Sequence, residues 1–179
     1  MFHRSERLFL RPAFHEDWEA ILDLIGGDAA IARNLASAPW PYGERDARDF
    51  AALPQDPRLP HFLVTLPGTG VIGCAGLGAH DGAAEIGYWI GRPYWGQGFA
   101  TEAASAVLRI ARTLGHQRLT AGHFIDNPAS GRVLRKLGFK PTGQIVKRHS
   151  RARGEAVDTV EYALEPDVAA DPIPFMRAA

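Results

Sequence analysis

The chain has 179 residues and a mass of 19.5 kDa, which suits one domain that buries its core without disulfides or metal. Lys plus Arg equal Asp plus Glu at 20 each, so the net charge is zero and gives no general attraction to nucleic acid or anionic membranes. The single cysteine, Cys74, excludes an intrachain disulfide and lies in an apolar run, where we expect a buried thiol.

The chain ends indicate how the domain is bounded. The first residues lack the apolar core of a signal peptide, and no stretch approaches the length of a transmembrane helix, so we expect a cytoplasmic protein without a membrane partner. Residues 166–179 are rich in Pro, Ala and Asp, which is typical of a loosely attached tail. The sequence therefore predicts one domain over residues 1–165.

The first half of the chain changes from helical to strand periodicity. Apolar residues recur at helical spacing from Trp18 to Ile25, where Gly26 and Gly27 end the pattern. The predicted elements are a strand at 8–12, a helix at 16–25, a weaker helix pair within 29–52, and antiparallel strands at 61–66, 71–77 and 84–90.

A loop with two glycines follows the last of these strands, in the run PYWGQGFATEA from Pro93 to Ala103. Glycine leaves the backbone exposed where a helix begins, and the first N–H groups of that helix are unpaired and carry the positive end of its dipole. This arrangement suits an anion. The alternative is a strand-to-helix turn with no ligand.

Two known phosphate loops do not match this run. The glycine spacing from Gly91 to Gly96 fits a P-loop, but Gln97 and Gly98 replace the lysine and hydroxyl residue that such a loop needs. A dinucleotide fingerprint would need glycine where Thr101 stands and would follow the first strand of a βαβ unit. Both ATP or GTP chemistry and a Rossmann fold are therefore disfavoured.

The second half predicts a helix, a strand, a second helix and a hairpin. Gly115 ends the helix that follows the loop, Asn127 and Pro128 cap the next one, and Gly138 closes it. The remaining strands are expected at 118–125, 142–149 and 156–164. The element order implies an α/β fold with a mixed, mostly antiparallel sheet and helices on both faces.

Four motifs in order give a family resemblance. They are AEIGYWI (84–90), the glycine loop, DNPAS (126–130) and RKLGF (135–139). Together, over nearly the whole chain, they resemble the GNAT superfamily of acyl-CoA N-acyltransferases, most closely its Rim-type group. The resemblance implies acetyl-CoA as co-substrate, often a homodimer, and a loop whose backbone amides hold the coenzyme pyrophosphate. That cradle would be Gly96, Gln97, Gly98, Phe99, Ala100 and Thr101, with Trp95 standing where the family has Gln or Arg.

Glu85 is the candidate general base. Alternation places it on one face of its strand with Gly87 and Trp89, so we expect a carboxylate among apolar residues that accepts a proton directly or through water. In the family, a glutamate at this distance before the loop often has that role. The alternative is a solvent-facing or salt-bridged carboxylate. The resemblance also implies that the Ile90 backbone N–H stabilises the oxyanion.

Ser130 is the candidate acid for the departing thiolate. Many family members have a tyrosine where this chain has Leu134, and Rim-type members share the Asn-x-x-Ser pattern in which the serine is a proposed thiolate partner. The alternative for Ser130 is a bond to the helix start. Asn127 is expected to cap that helix, and the resemblance adds a bond to the pantetheine arm. Solvent is another possible proton source.

Other polar residues carry weaker hypotheses. His149 could act as a base in the last hairpin, although a histidine on a polar segment is usually at the surface. Lys147, Arg148, Arg151 and Arg153 could form a basic patch for an acidic substrate or phosphate, and a solvated hairpin is the alternative. Trp40 and Tyr42 could line an acceptor wall or fill the edge of the core. The histidine and cysteine spacings predict no metal, and a G-x-S-x-G hydrolase motif is missing.

These observations predict an enzyme that moves acetyl from acetyl-CoA to a primary amine in a ternary complex. The amine could belong to a protein N-terminus, an amino acid or a small molecule. A noncatalytic acyl-CoA-sensing or interaction domain is the alternative from another class. A ribosome-associated factor that uses the basic hairpin is a third hypothesis, which the zero net charge disfavours.

Overall fold

The computed structural model describes residues 1–165, so the predicted tail at 166–179 lies outside the described residues. An eight-stranded sheet has the order β1-β2-β3-β4-β5-β6-β8-β7. Its strands are β1 (His3–Arg4), β2 (Phe9–Arg11), β3 (His61–Leu66), β4 (Gly70–His80), β5 (Ala83–Ile90), β6 (Leu119–Phe124), β7 (Lys140–Ser150) and β8 (Glu155–Leu164). The helices are α1 (Trp18–Gly26), α2 (Ala29–Ala32), α3 (Glu44–Ala51), α4 (Phe99–Thr113) and α5 (Pro128–Lys136).

Among residues 1–165, one neighbouring pair of strands in the sheet is parallel. β5 and β6, which flank the crossover through α4, run parallel, and all other pairs are antiparallel. The α/β fold class and the mixed, mostly antiparallel sheet are confirmed. Among residues 1–165, none of the helices is both long and apolar enough to cross a membrane.

The two parallel strands pair over a short distance and then separate. Their register joins Ala84 to Leu119 and Glu85 to Thr120, while β5 continues to Ile90 and β6 to Phe124 without further pairing. Backbone groups on the facing edges are consequently free of a sheet partner in this region. The opening between β5 and β6 positions the candidate site.

Helices cover both faces of the sheet, as the sequence predicts. On one face α4 packs on β4 and β5 with Ile86 and Ile90, and on the other α1 packs with Trp89. Alternation along β5 explains the division, because successive side chains point to opposite faces. Cys74 is buried in the α1 and α3 core, and burial raises the pKa of its thiol to about 12.

Helix ends follow the predicted signals. The Asn127 side chain accepts a hydrogen bond from the Ser130 N–H at 3.3 Å, and Pro128 is the first residue of α5. Gly115 and Gly138 have φ of 85° and 90°, in the left-handed region that ends a helix. These short-range features fix where α4 and α5 begin and end beside the opening.

Candidate active site

A cleft of about 480 Å³ lies at the opening between β5 and β6. Its walls come from β5, the glycine loop, the first turn of α4, the end of β6, the first turns of α5 and residues 31–36. Of the sequence-predicted site residues it brings together Glu85, Ile90, Gly96, Gly98, Phe99, Ala100, Thr101, Asn127 and Ser130.

The glycine loop presents bare backbone to this cleft. Gly96 and Gly98 have φ of 74° and 82°, which side chains rarely tolerate, and Gly98 directly precedes α4 without a side-chain cap. The first helical bond runs from the Glu102 N–H to the Gly98 carbonyl, so the preceding N–H groups have no acceptor within the helix. Gln97 is turned away, and its side-chain amide donates to the Pro93 carbonyl.

Arg7 braces the loop from a distant part of the chain. Its Nε donates to a carboxylate oxygen of Glu102 at 2.7 Å, its Nη1 donates to the Gln97 carbonyl at 3.1 Å, and its guanidinium lies 4.4 Å from the Phe99 ring centroid. Burial would raise the pKa of Glu102, but hydrogen bonds from Arg7 and Ser5 outweigh it and lower the pKa. Sequence reasoning missed this brace because 95 positions separate Arg7 from Glu102.

The Ile90 backbone N–H points into the opening. The Gly91 N–H bonds to the Ile72 carbonyl, which makes Gly73 and Ile90 a non-hydrogen-bonded pair whose own polar groups face away from β4. The Ile90 carbonyl on this edge accepts a 2.5 Å hydrogen bond from Trp95 Nε1. Trp95 therefore fixes the strand end with its side chain, while the neighbouring N–H faces the cleft.

Glu85 lies on the predicted face, but its surroundings differ from the expectation. Arg148 Nη1 donates to Glu85 Oε1 at 2.6 Å, and Arg148 Nη2 donates to Glu161 Oε1 at 2.9 Å. The expected apolar environment is thus wrong, since a guanidinium holds the carboxylate. Gly122 on β6 leaves the space, because a Cβ there would lie 3.1 Å from Arg148 Cζ. The two carboxylates of Glu85 and Glu161 share one guanidinium, so this part of the cleft has a net negative charge.

Ser130 meets a partner on the opposite face of the sheet. Its Oγ lies 2.9 Å from the Tyr88 hydroxyl, which is also 3.2 Å from the Ser130 carbonyl. Burial raises the pKa of Tyr88 to about 12, partly offset by the bond to Ser130. The phenol therefore keeps its proton and is a donor at neutral pH. Tyr88 was missed because nothing in the sequence ties it to a residue 42 positions away.

The structure separates several other candidates from the cleft. His149 is exposed and does not line it, and Tyr42 is buried in the core beneath α1 and α3. The predicted basic patch is not a single surface. Lys147 pairs with Asp158, Arg148 with two glutamates, Arg153 with Asp126, and Arg151 donates to the Ser37 carbonyl.

The segment that begins in α2 lines the cleft through Ile31, Asn34, Leu35 and Ala36. On the other side, α5 contributes the cations Arg132 and Lys136 to the cleft. Across residues 1–165 there is no group of three or more His, Cys, Asp or Glu placed to hold a metal ion.

The sheet opens beside a glycine loop and an uncapped helix start, and together they form a cleft that suits an anionic ligand. A model of the acetyltransferase (GNAT) domain matches residues 7–140, and the chain therefore belongs to the GNAT acetyltransferase family and is an N-acetyltransferase.

Two relatives show the family likeness over most of the chain. An uncharacterized N-acetyltransferase of Bacillus subtilis, YoaA, is 32% identical over 169 residues, which are 89% of this chain and 94% of that protein. The crystal structure of a GNAT-family acetyltransferase from Bacillus anthracis is 27% identical, with a TM-score of 0.78 and coverage of 92% of this chain and 98% of that one.

A third likeness concerns the fold alone. RimL, a ribosomal-protein alpha-N-acetyltransferase solved in complex with coenzyme A, is 24% identical with a TM-score of 0.78, covering 93% of this chain and 99% of its own. In this chain, the start of α4 carries features that suit an anionic ligand. Unpaired amides at a helix start suit a diphosphate, and the Arg132 and Lys136 side chains add positive charge.

Proposed function

We propose that the protein transfers acetyl from acetyl-CoA directly to a primary amine, with both substrates bound at once. The observation that carries the proposal is the opening between β5 and β6, which connects a carboxylate on one face of the sheet with a hydroxyl pair on the other. The amine approaches from the α1 and α3 face and the thioester from the α4 and α5 face.

The coenzyme would be held at the start of α4. Gly96 and Gly98 remove side chains from the loop, and the free amides of Phe99, Ala100 and Thr101 would bind the pyrophosphate. Asn127 lines the cleft beside this loop and would contact the pantetheine arm. Trp95 stands where the family has Gln or Arg. Its indole bonds to the Ile90 carbonyl and leaves these amides available.

Glu85 would receive the proton that the amine loses. Arg148 binds its Oε1, which leaves Oε2 free to accept a proton directly or through water. The excess negative charge of Glu85, Glu161 and Arg148 also favours an incoming ammonium group. The acceptor could be a protein N-terminus, an amino acid or a small-molecule amine, held beside the mainly apolar wall at 31–36.

On the thioester, the Ile90 N–H would stabilise the oxyanion as the amine attacks. Ser130, whose hydroxyl is bonded to Tyr88, would donate a hydrogen bond to the sulfur as the C–S bond breaks. Glu85 and Ser130 thus act on one reaction centre from opposite faces of the sheet. Both side chains would reach that centre through the opening between β5 and β6.

The test compares Glu85→Gln with Glu161→Gln. Both carboxylates bind Arg148 and are equally exposed, so the second variant controls for loss of the ion pair. We expect Glu85→Gln to lower kcat by about 100-fold and Glu161→Gln by less than about tenfold, with calorimetric acetyl-CoA affinity retained in both. An equal loss of kcat in the two variants would exclude Glu85 as the base.

The same assays test the alternative function. If the wild-type protein binds acetyl-CoA but turns over no amine in a broad panel, the result favours the acyl-CoA sensor.

A further inference from the structure

The side chain of Arg153, in the turn between β7 and β8, lies between two separate parts of the chain. It is 11% exposed although it carries a charge. Its Nε donates to the Arg33 carbonyl at 3.0 Å, while Nη1 and Nη2 donate to the two carboxylate oxygens of Asp126 at 2.8 and 3.0 Å. Its Cζ lies 5.1 Å from the centroid of the Phe124 ring. One planar guanidinium thus joins the end of α2 to the end of β6 and the loop that follows it.

Both attachment points lie next to residues that line the cleft. Arg33 caps the end of α2 and directly precedes residues 34–36 of the cleft wall. Asp126 directly precedes Asn127, the N-cap of α5, which also lines the cleft. In the proposed function the amine is held beside the first of these parts, and the first turn of α5 would meet the sulfur. The Arg153 guanidinium therefore connects the two sides between which acetyl would move.

The segment at 33–37 depends on the β7–β8 turn for part of its hydrogen bonding. It follows α2 and belongs to neither a helix nor a strand, so its carbonyls have no partner in a regular ladder. The Ala36 carbonyl accepts from the Arg151 backbone N–H at 3.0 Å, and the Ser37 carbonyl accepts from Arg151 Nη1 at 3.1 Å. Together with the bond from Arg153, three carbonyls of this segment are bound by two residues of the turn.

The contact requires a guanidinium. The two parallel bonds to Asp126 need a planar pair of N–H donors, and Nε supplies a third donor in the same plane, whereas a lysine ammonium is a point charge. Hydrogen bonds from Arg153 lower the pKa of Asp126, partly opposed by burial, so the carboxylate is ionised at neutral pH. The exposed Arg33 side chain lies farther from the same carboxylate, at 3.9 Å.

We propose that Arg153 is a positioning residue for the acceptor amine, an inference that rests on the proposed function. By fixing the backbone of Arg33 relative to Asp126, it sets the distance between the wall at 34–36 and the start of α5. Loss of the guanidinium should loosen this wall and weaken amine binding. The glycine loop, which Arg7 braces, should hold acetyl-CoA as before.

Steady-state kinetics with the amine that the wild-type protein acetylates fastest test the proposal. We expect Arg153→Met to raise KM for the amine about tenfold, to change kcat less than about threefold, and to change calorimetric acetyl-CoA affinity less than about twofold. Lys147→Met removes another ion pair of the same hairpin, that with Asp158, and should change none of the three. A fall in kcat with an unchanged KM, as a smaller folded fraction would give, would overturn the positioning role.

Asp126→Asn tests the pair without removing the arginine. The amide cannot accept both guanidinium bonds, so KM for the amine should rise as it does in Arg153→Met. Because the two residues act through one contact, the double variant should have the KM of Arg153→Met alone. Independent, multiplying effects on KM would show that the contact is not the cause.

Amide hydrogen exchange gives a further test that needs no acceptor. The Asn34 and Leu35 N–H groups each donate to a carbonyl of α2 at 3.0 Å, so their exchange rates report on the wall. We expect Arg153→Met to raise both rates about tenfold and Lys147→Met to leave them unchanged. Unchanged rates in Arg153→Met would overturn the positioning role and leave the acetyltransferase function intact. Wild-type protein that binds acetyl-CoA but acetylates no amine would instead overturn the proposed function.

Discussion

Tyr88 supplies a hydroxyl near the start of α5, where position 134 has none. Leu134 is 1% exposed and packs in the core formed with α4, so it offers no hydroxyl to the cleft that it helps to line. The phenol of Tyr88 instead reaches the start of α5 from β5 and bonds to Ser130. A hydroxyl pair thus lies at the proposed sulfur end although the tyrosine is missing from α5.

Removal of the Tyr88 hydroxyl should lower turnover while leaving the ring packed. We expect Tyr88→Phe to reduce kcat by about tenfold or more, because Ser130 loses its hydrogen-bond partner. Tyr94→Phe, at a second tyrosine that lines the cleft, is the matched control. With the pKa of Tyr88 at about 12, the wild-type rate should show no loss from phenol ionisation below roughly pH 11. Unchanged kcat in Tyr88→Phe would exclude this role.

Alternation along a strand predicts which face of the sheet a side chain lies on, but it does not predict which distant side chain it contacts. The sequence predicts that Glu85 shares a face with Trp89, and the packing of Trp89 on the α1 side agrees. The partner Arg148 lies 63 positions away and reaches Glu85 because Gly122 leaves room between them. A contact of that kind depends on the relative placement of three strands, which local sequence does not encode.

Among the elements, β2 and the start of α1 are joined by an ion pair. Arg11 Nη1 and Nη2 each donate to Asp17 at 2.7 Å, and Asp17 also accepts from the Phe14 N–H at 2.6 Å. Burial would raise the pKa of Asp17, but these hydrogen bonds and the Arg11 charge prevail and lower it. The ion pair therefore fixes the start of α1, the helix that covers the Trp89 face of the sheet.

Asp17 should therefore make stability depend on pH. Because its folded pKa is below the unfolded value of roughly 4, its contribution is present above that pH and is lost as pH falls through the folded pKa. We expect Asp17→Asn to lower the free energy of unfolding by about 2 kcal/mol at neutral pH, and less as the pH falls below roughly 4. Urea unfolding at neutral pH and at a pH below roughly 4 measures the difference in unfolding free energy between the variant and the wild type.

The exposed Asp23 of α1 provides the comparison for that experiment. Asp23→Asn should change the unfolding free energy by less than about 0.5 kcal/mol at either pH. A pH-independent loss in Asp17→Asn would show that its ionisation contributes nothing, and the ion pair would then have no role in acid stability.

Helix boundaries were predictable because their signals are local. The cap at Asn127, the proline after it and the closing Gly138 lie within a dozen residues, and the structure places α5 between them. The strand β1, His3–Arg4, was not predicted, because two residues carry no periodicity and pair only through β2. Short edge strands depend on a neighbour that is already in place.

At the scale of the molecule, the proposed function depends on the position at which β5 and β6 separate. The sequence predicts parallel β5 and β6, but not that they pair at two positions and then separate. The Arg148 side chain between Glu85 and Glu161 occupies one side of this region, and the first turn of α5 the other. Local periodicity predicts the elements, whereas their packing creates the opening that joins two half-sites.

The anion cradle is tested most directly by the calorimetric affinity for acetyl-CoA of wild type, Gly98→Ala and Gly143→Ala. The two glycines have φ of 82° and 83°, so alanine causes similar backbone strain, but Gly143 lies in β7 away from the cleft. We expect Gly98→Ala to weaken binding about tenfold or more because the amides of the first turn of α4 lose their alignment, and Gly143→Ala to change it less than twofold. Equal affinities in all three proteins would contradict pyrophosphate binding at this loop.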